Sequence, residues 1–112
     1  MSTHVQYAPT SGEGVYILKM SRPLGNDQHR AQYYIGWARD LEARLHFHRT
    51  GRGAAFTRAA AQQGIEMEVV CWIPGATKRA ERWIKNQKNT SGFLRRFAER
   101  PEFYRAKLVA LK

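Results

Sequence analysis

Apolar and polar positions divide the chain into short runs separated by glycine, proline and small polar residues. The run Gly14-Val15-Tyr16-Ile17-Leu18-Lys19-Met20 is β-branched and aromatic, as a buried or half-buried strand is. Arg22 to Arg30 holds Pro23, Gly25, Asn26 and Asp27 and reads as a turn. A second strand follows over Ala31 to Trp37, and the short link favours an antiparallel hairpin with the first. From Asp40 the period becomes helical: a carboxylate suits the first turn, Leu41 and Leu45 share a stripe, and Gly51 and Gly53 end the helix. An alanine-rich segment predicts a second helix over Ala54 to Gln63. The run Glu66 to Ile73 alternates at first and closes at Pro74-Gly75, which marks a third strand. Helix returns from Ala76 to about Lys88 and breaks at Asn89-Thr90-Ser91-Gly92. Ser91 is the predicted cap of a short helix from Phe93 to Arg100, and Pro101 separates that helix from a helical tail through Leu111. Residues 1–12 show no clear period and read as a lead-in, with Tyr7 its candidate for packing. No internal repeat and no linker divides the chain. The pattern predicts one domain over residues 1–112, with a core of about 14–90 and a helical extension over 91–112. Its class is α+β, a three-stranded antiparallel sheet flanked by helices.

Composition narrows the partners. A chain of 112 residues with 43% hydrophobic content can bury one core without staples. Nineteen Lys and Arg against nine Asp and Glu give a net charge of +10 and a pI near 10.4, a field that attracts polyanions. Nucleic acid is the commonest such partner, with anionic membranes and heparin-like chains as the alternatives. The single cysteine, Cys71, excludes an internal disulfide and a thiolate metal site, and fits a small buried side chain in a reducing compartment. No basic leader with an apolar run and no membrane-length stretch is present, so a soluble, intracellular and cytoplasmic protein is expected.

Candidate chemistry lies where polar residues interrupt apolar faces. On the first helix Leu41 and Leu45 lie about 40° apart, and Arg44 and His48 fall within about 60° of them. An arginine half-buried there is expensive unless a carboxylate or phosphate oxygen meets its fork; the plain alternative is a snorkelling arginine above a structural histidine. His46 and Phe47 point elsewhere. On the helix from Ala76, the inner face is Ala76, Ala80, Trp83, Ile84 and Gln87, while Glu81 stands among Lys78, Arg79, Arg82, Lys85 and Lys88. Glu81 is either half of an i,i+4 pair with Lys85 or the carboxylate for a hard divalent cation. Tyr16 and Tyr34 are predicted on adjacent strands with both phenols on one sheet face, where tyrosine more often only packs; Tyr33 must face the other way.

In order and spacing, Gly14-Val15-Tyr16, Tyr34-Ile35-Gly36, Arg44, His48 and Glu81 resemble the GIY-YIG nuclease superfamily, with Val15 where the family name has isoleucine. The likeness covers about residues 14 to 90 and is similar to the nuclease domain of the excision-repair incision subunit. It implies that Tyr16, Tyr34, Arg44, His48 and Glu81 form an active site hydrolysing DNA phosphodiesters. In that implied reaction Glu81 holds one Mg²⁺ or Mn²⁺, Arg44 clamps the phosphate, and Tyr16 takes a proton from water with Tyr34 or His48 assisting. His48 is the rival base, because imidazole titrates nearer neutrality. Trp37 stands where many members carry Lys or Thr, and Asn89, with Asn86 as competitor, is the candidate for an asparagine often found near the domain's end. Arg49, Arg52 and Arg58 on a glycine-containing loop, with Lys78, Lys85 and Lys88, are the candidate nucleic-acid contacts, the glycines letting the backbone approach phosphates. The implied partner is DNA, with branched, damaged and plain duplex left open as its form, and DNA repair is the implied setting. The alternative is a non-catalytic nucleic-acid-binding module on the same fold.

Overall fold

In the computed structural model, which describes residues 12–23 and 32–112, the chain runs β1 (Gly14–Met20), β2 (Tyr33–Ala38), α1 (Leu41–Arg49), α2 (Ala55–Gln62), β3 (Met67–Pro74), α3 (Lys78–Gln87), α4 (Thr90–Glu99) and α5 (Pro101–Val109). The lead-in with Tyr7, the turn residues Gly25, Asn26 and Asp27, and Ala31 lie outside the described residues. The three strands form one antiparallel sheet in the order β2-β1-β3. The α+β class and the expected hairpin are both present.

Strand alternation splits the core into two layers, one on each sheet face. Val15 and Ile17 of β1 join Ile35, Cys71 and Ile73 under Ala80, Ile84, Phe93, Phe97 and Leu108 of α3, α4 and α5. Tyr16, Leu18 and Met20 point the other way, with Trp72, and are covered by Leu41 of α1 and Ala60 of α2. Tyr33 packs with the first layer and Tyr34 with the second, as strand period requires. Cys71 is buried and free, and burial pushes its thiol up to about 12. At one end of the sheet Gly14 pairs with Ala38 on one side and Pro74 on the other. Both α1 and α3 therefore follow strands that finish at the same end of the sheet, one helix to each face, and from there charges on both helices act on Tyr16. Gly14 is obligatory there, since a Cβ would lie 2.5 Å from the Trp72 ring and 2.6 Å from the Ile73 carbonyl.

Helix ends differ from expectation in instructive ways. Asp40 is the N-cap of α1 rather than a first-turn residue, and its carboxylate accepts from the Ala43 N–H. Gly51, at φ +78°, follows the Thr50 C-cap, whereas Gly53 plays no part in ending the helix. Helix α3 begins at Lys78, capped by Thr77, and stops at Lys88 in the left-handed region at φ 56°. Its inner face is Ala80 and Ile84 with half-buried Trp83; Gln87, predicted inside, is exposed and donates to the Trp83 carbonyl. Helix α4 starts earlier than predicted, because Asn89 rather than Ser91 caps it: the Asn89 side-chain oxygen accepts from the Gly92 N–H at 3.0 Å. Asn89→Ala should lower unfolding stability by about 1 kcal/mol, read as a shift in the urea midpoint, and Asn89→Asp should retain most of it.

Candidate active site

Tyr16 is only 1% exposed, and a phenol buried without a partner is costly, so its environment has to supply one. The partner is His48, whose Nε2 lies 2.6 Å from the Tyr16 hydroxyl. His48 is itself 1% exposed, and its Nδ1 lies 2.7 Å from Thr57 Oγ1. The Thr57 hydroxyl in turn lies 3.1 Å from the Ala54 carbonyl, to which it donates. A hydroxyl has one proton to give, so with that proton on Ala54 the Nδ1–H of His48 must donate to Thr57. Nε2 is then the acceptor, and Tyr16 O–H is the donor. Ala54, Thr57, His48 and Tyr16 form a directed chain that ends at the phenol.

Two glycines make room for this chain. Tyr16 pairs across the sheet with Gly36, where a Cβ would come within 2.5 Å of the phenol oxygen. A Cβ on Gly53 would collide with His48 Nδ1 and crowd Thr57 Oγ1. The lack of a side chain at Gly53 admits the His48–Thr57 pair, a role that the phosphate-contact reading of its loop does not include. Sequence reasoning missed Thr57 as well. Its signal was a lone hydroxyl residue on an alanine-rich helix three positions before buried Ala60.

Tyr34 lies beside both partners, its ring centroid 6.2 Å from Tyr16 and 5.2 Å, edge-on, from His48. Phe56 stacks on the outer face of Tyr34 at 6.1 Å. Arg44 was expected half-buried, but it is exposed. The reason is angular: Leu41, Leu45 and His48 fill an arc of about 60° on α1, and Arg44 stands at its margin, leaving burial to the histidine. His46 and Phe47 are exposed, as anticipated. Glu81 approaches from α3, with Lys85 Nζ 2.7 Å from its Oε2. Both Arg44 and Glu81 act electrically on the Tyr16 phenol, from opposite directions. Burial drives the Tyr16 pKa well above the usual tyrosine value; Tyr34 and Glu81 add to the rise, and Arg44 offsets part of it. Tyr16 therefore rests as a phenol. His48 is lowered to about 4, by burial first and Arg44 second, and rests neutral. Trp37 lies on the opposite face, half-buried, with the Lys78 ammonium 4.9 Å above its ring, and brings no polar group to this site. Asn86 and Asn89 are exposed, and the Asn89 side chain is engaged as a helix cap.

Tyr34 and His48 thus contact the Tyr16 ring or its hydroxyl, and the charges of Arg44 and Glu81 act on it from α1 and α3. The family model of the GIY-YIG catalytic domain matches residues 13–95. The chain belongs to the GIY-YIG family. Its function is of the nuclease type, a phosphodiester hydrolase acting on nucleic acid. No curated protein and no solved structure matches the chain significantly. No helix among the described residues is long and apolar enough to cross a membrane.

GIY-YIG nucleases generally use divalent metals, and the donor set here can be tested against that use. Among the described residues no three His, Cys, Asp or Glu side chains cluster, so an all-protein cage is not available. A lone carboxylate suits a hard ion that keeps several waters and takes phosphate oxygens from its substrate, as Mg²⁺ does. Glu81 fits that description: its side chain is 20% exposed, and its partner Lys85, 51% exposed, is free to swing away.

Two outcomes follow from this geometry. Gly36→Ala should cost about 1–3 kcal/mol in thermal or urea unfolding, because the Tyr16 ring must give way. His48 takes up a proton near 6.5 when unfolded but only near 4 when folded. Between those values the unfolded chain binds more protons, so His48 subtracts stability as pH falls through that window, by up to about 1.4 kcal/mol per pH unit. The stability difference between wild type and His48→Gln, measured by urea unfolding, should therefore be flat above pH 6.5 and shift against wild type from there down toward pH 4.

Proposed function

We propose that the protein is a metal-dependent DNA endonuclease in which Tyr16 and His48 relay the proton of the attacking water. The observation that carries this reading is the buried 2.6 Å contact between Tyr16 and His48, set where the charges of Arg44 and Glu81 converge. Arg44, exposed and beside the phenol, holds a non-bridging phosphate oxygen with its fork. As water attacks phosphorus, its proton passes to the Tyr16 oxygen while the Tyr16 proton passes to His48 Nε2. A P–O bond forms to the water oxygen, and the bond to the 3′ oxygen breaks with its electron pair. Thr57 stabilises the resulting imidazolium by accepting from Nδ1–H. This relay avoids a free tyrosinate, which burial makes inaccessible. It also explains how so weak a resting base takes a proton: once a phosphate neutralises Arg44, one of the two influences depressing His48 is removed. Tyr34, its ring packed beside those of Tyr16 and His48, holds the phenol in place. Glu81, with Lys85 displaced, would hold the divalent cation. Bound there, Mg²⁺ or Mn²⁺ supplies Lewis-acid stabilisation of the leaving oxygen and of the charge on the phosphate.

Arg49, Arg52 and Arg58 on one side and Lys78, Lys85 and Lys88 on the other are all exposed, as phosphate contacts require. Branched duplex, damaged duplex as met in DNA repair, and plain duplex are the candidate substrates, and a panel of labelled linear and branched duplexes distinguishes them. Supercoiled plasmid with Mg²⁺ or Mn²⁺ tests the chemistry. Wild type should nick it, and Tyr16→Phe and Glu81→Ala should each lower the rate by about 10²-fold or more. Thr57→Val should slow nicking by less than that, with Thr57→Ser restoring it, because serine keeps the hydroxyl that orients His48. Absence of nicking by wild type, or nicking unchanged in Tyr16→Phe and Glu81→Ala, overturns the proposal; bound but uncut duplex would identify the non-catalytic module.

A further inference from the structure

The charge of this protein is unevenly placed. Residues 78–112 carry eleven Lys and Arg against three Glu, so this third of the chain holds +8 of the +10 net charge. Most of those cations lie away from the tyrosine face, on the layer of helices α3, α4 and α5 that covers the other side of the sheet.

Within that layer, α3 and the C-terminal end of the chain enclose an open recess of about 200 Å³ lined by Arg79, Arg82, Trp83, Asn86 and Leu111. Lys107 of α5 holds its ammonium 5.3 Å over the Trp83 ring, a contact that restrains a long side chain beside the recess. Arg79 donates to the Lys112 carbonyl, which fixes that guanidinium at the rim. Arg82 and Lys107 are exposed and take part in no ion pair among the described residues. The lining residues bring an amide and two guanidiniums and no carboxylate, and the Lys107 ammonium over Trp83 adds a charge beside them, a donor set for a phosphate oxygen.

The recess is connected to the site around Tyr16. At about 100° per residue, the exposed arc of α3 runs from Glu81 through Lys85, Lys78 and Arg82 to Asn86 and Arg79. A helix with side chains is about 10–12 Å across, and successive nucleotides of a strand rise about 3.4 Å. The recess therefore stands roughly three to four nucleotides from Glu81 along a backbone crossing α3. Leu111, one of the five lining residues, and Lys107 beside them lie beyond residues 13–95, so one edge of the recess is built by this chain's own extension rather than by the matched catalytic domain.

We propose that this α3/α5 recess is a second phosphate-binding site, which grips the nucleic-acid backbone flanking the cut. The choice of nucleic acid as ligand rests on the nuclease reading, but binding here requires no turnover. The test is fluorescence anisotropy of the full chain with a labelled DNA duplex across a salt series, in chelator so that no strand is cut. Each phosphate contact contributes about 0.9 to the slope of log K against log salt. Arg82→Ala/Lys107→Ala should lower that slope by nearly two, whereas Lys19→Ala/Arg22→Ala, which removes two exposed cations elsewhere, should leave it unchanged. An equal fall in both double variants would show a diffuse field and overturn the recess. Unchanged slopes in both, or no duplex binding at any salt, would do the same. So would loss of binding to phosphatidylserine vesicles with the duplex slope intact, since that assigns the recess to a membrane surface. Failure of plasmid nicking with the slope change present would remove the endonuclease proposal and leave this one standing.

Discussion

A buried phenol must have a hydrogen-bond partner, and much of this fold serves that requirement for Tyr16. The residue lies in the central strand, wholly covered, beside the sheet end from which α1 and α3 depart. His48 meets it from the last turn of α1, and Thr57 meets His48 from the start of α2. The two helices are thereby tied to the sheet by polar contacts inside an otherwise apolar layer. Such a network is worth having only when every member is satisfied, and here the last hydroxyl ends on a backbone carbonyl. Gly36 and Gly53 belong to the same device, since either one with a side chain would push the network apart.

The electrostatics follow from this burial. Low solvent access holds Tyr16 protonated and His48 neutral, so the resting site stores a donor and an acceptor rather than an ion pair. Arg44 and Glu81 remain at the margin, where water can reach them and a phosphate and a cation can replace it. Charges at the rim and neutral groups within is an arrangement suited to moving a proton when a substrate changes the field. The opposite helical layer carries most of the positive charge, which separates attraction of a polyanion from the chemistry done on it.

Periodicity in the sequence located the elements well because each rests on a local rule. Alternation in β1 separated Tyr16 from Val15, and the same rule put Tyr33 and Tyr34 on opposite faces. Errors concentrated at helix ends, where neighbouring polar residues compete for the N-cap position. Asn89 prevails over Ser91 because its side-chain oxygen reaches Gly92 one turn ahead. The Glu81–Lys85 pair, read in the sequence as one of two alternatives, is present at 2.7 Å; it is compatible with the other, since an exposed lysine can yield its place.

By itself the sequence determined the α+β order, the two faces of the sheet, and the five side chains that resemble a nuclease site, since these depend on spacing within single elements. Tertiary structure alone decided which of them are buried, which nitrogen of His48 accepts, and why Gly53 and Thr57 matter. Those properties arise from contacts between β1, α1 and α2 that no local period encodes. The recess beside α3 belongs to the same class, because Leu111 joins Arg82 in lining it, and Lys107 reaches its Trp83 wall, only when the C-terminal segment folds back across α3.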